Sequence, residues 1–156
     1  FTVYGPWDRP DMALQKFAHK IVKGETIKIF NYGNHQRDFT YIDDIIESIV
    51  RIINKPSIPN SNWSGKIPNP SSSNAPWRIY NIGNNQPEKL INYIKVLELA
   101  LGKEAKKEML AIQPGDVPNT WADIDDLVEQ INYRPNTSIN QGIKKFSDWF
   151  CDYYKI

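Results

Sequence analysis

Apolar residues recur at helical spacing in separate stretches of this chain, with short β-type runs between them. A chain patterned this way must layer helices on strands, because each stripe and each strand face needs a partner to bury it. The closing stretch is the clearest: Ile139, Ile143, Phe146, Phe150 and Tyr153 fall on one face of a helix that begins after Thr137. Leu14, Phe17, Ala18 and Ile21 predict a helix capped by Asp11 and stopped by Gly24. Asp43 and Asp44 open the next, with Ile45, Ile46, Ile49, Val50 and Ile53 turned inward and Pro56 ending it. Pro87 fits the first position of a helix carrying Leu90, Ile94, Leu97 and Leu101 up to Gly102. Asp123 is the expected cap of a short helix with Leu127, Val128 and Ile131.

Residues 1–4 read as a strand end closed by Gly5-Pro6. Residues 27–30 and 37–42 flank Gly33-Asn34 and predict a hairpin-like pair, while 78–82 and 109–112 read as further strands. The Pro-, Ser- and Asn-rich stretch 56–77 reads as a long loop. No internal repeat is present. The fold class is α/β, or a mixed α+β layer, in one segment of 156 residues. The chain opens without Met inside an apolar run, which suggests a piece of something longer.

Composition enters through what it excludes. With 19 basic and 18 acidic side chains the net charge is +1, too small an excess for a phosphate-driven nucleic-acid binder. Mean hydropathy is −0.54, and no apolar run approaches the ~18 residues of a membrane span. Cys151 stands alone, which removes a disulfide framework and a Cys-rich zinc site. A reduced, cytoplasmic setting is the expectation.

Catalytic equipment is sparse. No two of the 8 glycines have Gly-x-Gly spacing, and no Tyr is followed four residues later by Lys. No metal site is expected: His19 and His35 lack ligand spacing and read as solvated surface. Asp43-Asp44 and Asp125-Asp126 read as helix starts sooner than as acid–base pairs. No catalytic residue is assigned.

Three polar clusters remain. In the first, Arg9 is fixed between Gly5-Pro6 and Pro10, and its planar fork suits a carboxylate or phosphate. The second is Arg37-Asp38-Phe39-Thr40-Tyr41, a charged start to a half-buried strand. The third, Gln113-Pro114-Gly115-Asp116, places a carboxylate at a strand end. The plain alternative makes Arg37-Asp38 a structural ion pair and the other two clusters turns.

Taken in order, these clusters resemble the C-terminal half of the extended short-chain dehydrogenase/reductases, in particular the UDP-glucuronate 4-epimerases. The matching stretches are FTVYGPWDRPDMA (1–13), GNHQRDFTYIDDI (33–45), RIYNIGN (78–84), QPGDVPNTWAD (113–123) and NYRPNTSINQGIKKFSDWF (132–150). GPW-x-RPDMA is the pattern of the glucuronate branch. The resemblance implies a substrate-binding half that lacks most of the Rossmann domain. In such enzymes the glycine loop for NAD and the Tyr-x-x-x-Lys pair precede the position of Phe1. NAD takes a hydride from carbon 4 of the sugar and returns it to the other face, giving UDP-galacturonate for surface polysaccharide.

By position, the resemblance gives Arg9 and Thr2 the sugar carboxylate, Arg37 the diphosphate, and Lys28 (through its main chain) and Phe30 the uracil. Asp116, with Gln113 nearby, takes the uridine ribose; Lys16 adds positive potential, and Val3 forms part of the nicotinamide wall. It also implies a UDP-sugar substrate, a homodimer of the full-length protein, and no nucleic-acid or membrane partner. The first segment and residues 78–82 are expected to expose an apolar face that the other half covers. Another nucleotide-sugar epimerase, a decarboxylase, a dehydratase or a non-catalytic nucleotide-sugar module are the alternatives. A sugar- or protein-binding domain built on Trp63, Trp77 and Trp121 ranks below them. One departure stands out: the branch usually has Gly before the Arg, whereas here it is Asp8, expected to point to solvent.

Overall fold

The computed structural model describes residues 2–156, so Phe1 of the first strand lies outside the described residues. The elements run β1 (Val3–Tyr4), α1 (Ala13–Lys23), β2 (Thr26–Ile29), β3 (Gln36–Arg37), β4 (Thr40–Tyr41) and α2 (Ile42–Ile53). Then follow β5 (Glu88–Lys89), α3 (Leu90–Leu101), β6 (Lys106–Met109), α4 (Asp125–Ile131) and α5 (Ile139–Tyr154). The fold is α/β with short strands. It is built from two-stranded pairs: β1 with β4 and β2 with β6, both parallel, and β3 with β5, antiparallel.

The expected hairpin across Gly33-Asn34 does not form. β2 pairs instead with β6, Ile27 opposite Lys107, and β3 pairs with β5. Between them, Asn31 and Tyr32 both take left-handed backbone (φ 52 and 49), and this turn carries the chain away from β2. Two strands as short as β3 and β4 cannot be partnered from local sequence, because their ladder mates lie far along the chain. Residues 78–82 form no strand beyond a single bridge from Arg78 to Ser72. The later strand lies at Lys106–Met109, ahead of its expected position.

The core gathers stripes from α1, α3 and α5 around the strand ends: Leu14, Ala18 and Ile21; Tyr93, Ile94 and Leu97; Ile139, Ile143, Phe146 and Phe150. Tyr153 falls outside it. Phe39 and Tyr93 stack with ring centroids 3.8 Å apart, and Tyr4 meets both edge-on. A Cβ at Gly142 would strike the Tyr4 ring, so a glycine in α5 is what lets β1 pack this close. A capping box, Ser138 with Gln141, closes the start of α5.

Several ends differ from expectation. Met12, not Asp11, is the N-cap of α1, while Gly24 does terminate it at φ 70. Pro87 is not in α3, because Glu88 and Lys89 are drawn into the ladder with Arg37 and Gln36. Asp123 accepts from Asp125 N–H at 3.1 Å, although Ile124 is the cap residue.

The largest reversal is α2. Its buried residues are Asp44 and Ser48, whereas Ile46, Ile49, Val50 and Ile53 are exposed, Ile53 at 71%. The polar face turns inward because Asp44 has partners there: it accepts from Tyr133 Oη at 2.7 Å and from Thr137 N–H at 3.0 Å. Burial first, and then the bond to Asp44, push the Tyr133 hydroxyl well above its ordinary range. Asp43 pairs with Lys145 at 2.9 Å. These two aspartates thus tie α2 to α5 and to the segment leading into it.

Residues 56–77 hold themselves in turns. Asn60 N–H donates to the Ser73 carbonyl (2.9 Å), the Asn60 side chain to Ser72 Oγ (3.1 Å), and Trp63 Nε1 to the Asn69 carbonyl (3.3 Å). Among the described residues no helix is long and apolar enough to cross a membrane.

Candidate functional site

A cavity of about 640 Å³ opens between the start of α1, the end of β2, the β3–β4 segment and residues 116–120. That volume lies in the range of small-ligand sites. Thr2, Met12, Ala13 and Phe17 form one side; Lys28 and Phe30 another; His35, Arg37, Asp38 and Asp116 the charged end. A smaller hollow of about 280 Å³ adjoins it, lined by Lys16, Lys20 and Lys28 with Phe17 and Phe30.

The charged end is assembled by pairing the third polar cluster beside the second. Gln36 N–H donates to the Pro118 carbonyl (2.9 Å), and Thr120 N–H donates to the Gln36 carbonyl (3.1 Å). This register sets Arg37 against Asp116, Nη2 to Oδ1 at 3.0 Å. Arg37 Nη1 meanwhile donates to the carbonyls of Pro118 (2.8 Å) and Gln36 (3.1 Å). The guanidinium is therefore held from two sides on the cavity wall.

Asp38 does not pair with Arg37, so the simple ion-pair reading fails. Its buried carboxylate accepts from three main-chain donors: Asn85 N–H (3.1 Å), Gln86 N–H (3.3 Å) and Ala122 N–H (3.1 Å). A Cβ at Gly83 would come within 2.9 Å of Asp38 Oδ2, so that glycine admits the carboxylate. Asp38 is an anchor that fixes the RIYNIGN segment and residue 122 beneath the cavity.

His35 is the residue that sequence reasoning placed wrongly. It is 4% exposed, not solvated, and its Nε2 lies 3.1 Å from Asp116 Oδ2. The sequence signal available was position: residues 35 and 37 share one face of an extended strand. His19 is also not free surface, since its ring meets Phe150 and Tyr154 edge-on at 4.9 and 4.6 Å. Burial, aided by the Lys23 charge, pushes its pKa down.

Thr2, Lys28, Phe30, Arg37 and Asp116 come together on the main cavity, and Lys16 lines the adjoining hollow. Arg9 does not line either. Its side chain is 73% exposed and pairs with Asp11 at 3.2 Å, while Nη2 lies 3.3 Å from Met12 Sδ. Both contacted residues are on the cavity wall, so Arg9 stands at the rim one side chain away. Gln113 is exposed and off the wall; its carbonyl accepts from Asp116 N–H at 3.1 Å. Val3 sits in β1 opposite Thr40, also off the wall.

Asp8 does not point to solvent. One carboxylate oxygen accepts from Arg9 main-chain N–H at 2.8 Å, and the other is buried without a partner. Burial pushes its pKa up, against the pull of the Arg9 N–H and charge. The carboxylate that competes for the Arg9 guanidinium is Asp11. Trp7, in left-handed backbone (φ 64), lays its ring on Trp149 (5.3 Å) and Tyr153 (5.0 Å) and so fastens this segment to α5.

The first turn of α2 carries Asp43 and Asp44, which repel a pyrophosphate, and the capping box satisfies donors at the start of α5. Neither of these helix starts offers a seat for the pyrophosphate of a dinucleotide, and no glycine loop is present in the sequence. Among the described residues no cluster suited to a metal ion occurs.

Residues 1–83 match the NAD dependent epimerase/dehydratase family, and the chain belongs to that family. Relatives named UDP-glucuronate 4-epimerase are among the proteins it is similar to. It is 54% identical over 155 residues to Protein CapI of Staphylococcus aureus, covering 99% of this chain and 46% of that protein. It is 43% identical to a probable UDP-glucuronate 4-epimerase of Rhizobium meliloti, covering 99% and 46%. The chain thus spans about half the length of the curated relatives it matches. The fold superposes on UDP-glucuronic acid 4-epimerase of Bacillus cereus, solved with UDP-glucuronic acid and NAD. The TM-score is 0.79 at 32% identity, covering 99% of this chain and 44% of that one. The architecture is that of the C-terminal half of the extended short-chain dehydrogenase/reductase epimerases.

Proposed function

We propose that this segment binds a UDP-hexuronic acid for an NAD-dependent enzyme that inverts carbon 4 of UDP-glucuronate to give UDP-galacturonate. The observation that carries this reading is the Arg37–Asp116 pair, 3.0 Å across, at one end of a cavity whose other walls are Phe30, Phe17 and Met12. A held guanidinium suits a diphosphate, a carboxylate suits ribose hydroxyls, and an aromatic wall suits a base. Lys28 and Phe30 border the uracil, with Gln113 behind Asp116 and Lys16 adding positive potential from the neighbouring hollow.

Thr2 meets the sugar carboxylate from the wall, and Arg9 does so from the rim once it leaves Asp11. Val3 faces the nicotinamide from β1. NAD and the proton-transferring residues come from the preceding half of a longer protein. That half covers the exposed apolar face of α2, Ile46, Ile49, Val50 and Ile53. The full-length enzyme is a cytoplasmic homodimer that supplies surface-polysaccharide synthesis.

Calorimetry tests the binding. Titrating the full-length gene product with UDP-glucuronate should give saturable heat that Arg37→Ala weakens, and NAD-supplemented turnover should give UDP-galacturonate. Saturable binding of UDP-glucose with none of UDP-glucuronate overturns the hexuronate assignment.

A further inference from the structure

Asp116 has a neighbour at each oxygen, Arg37 Nη2 on Oδ1 at 3.0 Å and His35 Nε2 near Oδ2 at 3.1 Å. The two contacts differ in kind. The Arg37 bond is well formed, whereas Nε2 approaches off the line of a hydrogen bond and has no other protein partner. A buried polar nitrogen left in this state is costly, and a small rotation of the Asp116 carboxylate would satisfy it. Asp116 is also the freer partner, with 31% of its side chain exposed against 4% for His35.

An anion in the cavity competes with Asp116 for Arg37, because Nη1 is already committed to two carbonyls and Nη2 is the nitrogen that Asp116 holds on the cavity wall. Arg37 cannot leave its place without losing those carbonyls. The carboxylate is therefore the group that yields, and His35 is the donor that remains for it. His35 itself is fixed: it is buried, and its main-chain carbonyl accepts from Leu90 N–H at 2.9 Å.

We infer that His35 is a positioning residue for Asp116, holding its carboxylate toward the ribose hydroxyls of a bound uridine nucleotide while Arg37 turns to the phosphates. This rests on the proposed ribose role of Asp116. His35 touches neither sugar nor phosphate; it acts through the carboxylate it orients.

The test compares UDP with 2′,3′-dideoxy-UDP on the full-length gene product carrying His35→Leu or His35→Gln. His35→Leu should weaken UDP about tenfold, the worth of one hydrogen bond to a charged group, and leave the dideoxy compound nearly unchanged. His35→Gln, which keeps a donor on a side chain of similar reach, should bind UDP close to wild type. Equal losses for both nucleotides, no loss for either, or no rescue by glutamine overturn the positioning role. Separate outcomes concern the parent reading. If wild type binds both nucleotides equally, Asp116 does not recognise ribose; if it binds neither, the nucleotide site itself is refuted. Either result also ends the inference.

Discussion

Arg37 and Asp116, 79 residues apart in sequence, meet at 3.0 Å on the wall of the principal cavity. The encounter depends on main-chain pairing of Gln36 with residues 118–120, not on attraction between the two side chains alone. The cation is consequently in place before any ligand arrives.

Replacing Arg37 by Ala should weaken UDP binding about ten- to a hundredfold, the range for a charge-assisted contact. Lys in its place should recover only part, because an ammonium cannot hold two carbonyls and an anion through one planar fork. Calorimetric titration of the three proteins with UDP gives the comparison.

Asp38 is a stability residue on this reading. Asp38→Ala strands three main-chain N–H donors, those of Asn85, Gln86 and Ala122. The expected loss is about 3 kcal/mol. Urea unfolding should show it as a lower midpoint with an unchanged slope.

Glu98 should make part of the acid sensitivity. Burial pushes its pKa up, but the Lys107 ammonium and the Ala105 N–H outweigh that and hold the carboxyl below its ordinary 4.5. A depressed carboxyl stabilises the fold above its unfolded pKa, and the contribution is lost as pH falls through the folded value. Glu98→Gln should therefore lower stability at neutral pH and flatten the fall below about pH 4.5. Urea midpoints across that range measure both effects.

Charges on the outer face of α2 should be tolerated by this segment. Ile49→Lys with Ile53→Glu should shift its folding stability by less than about 0.5 kcal/mol, because neither side chain is buried here. Self-association, followed by light scattering against concentration, should fall. In the longer protein the same pair should reduce stability, since the proposal puts that face against the other half.

The sequence reading succeeded where periodicity and packing agree. In α5, Ile139, Ile143, Phe146 and Phe150 form the stripe and are all buried. The same logic inverted α2, because period gives an apolar face but not its occupant, and Asp44 had buried partners in Tyr133 and Thr137. Local turn signals failed at Gly33-Asn34, where distant strands took the ladder bonds. At the site, Arg37 and Asp116, singled out through the family resemblance, meet on one cavity wall. His35 was not legible, because a lone histidine beside a turn carries no spacing signal until its strand is placed. Arg9 was legible as a fork, but its ion pair with Asp11 depends on how the turn after Pro10 closes.

The seat of Trp7 on Trp149 and Tyr153 gives the molecule an internal optical gauge. Indoles at that separation couple their excited states, so lifting the 5–12 segment away from α5 alters near-ultraviolet dichroism and emission. Movement of the arm that bears Arg9 can thus be timed by light alone, with Trp7→Phe supplying the blank.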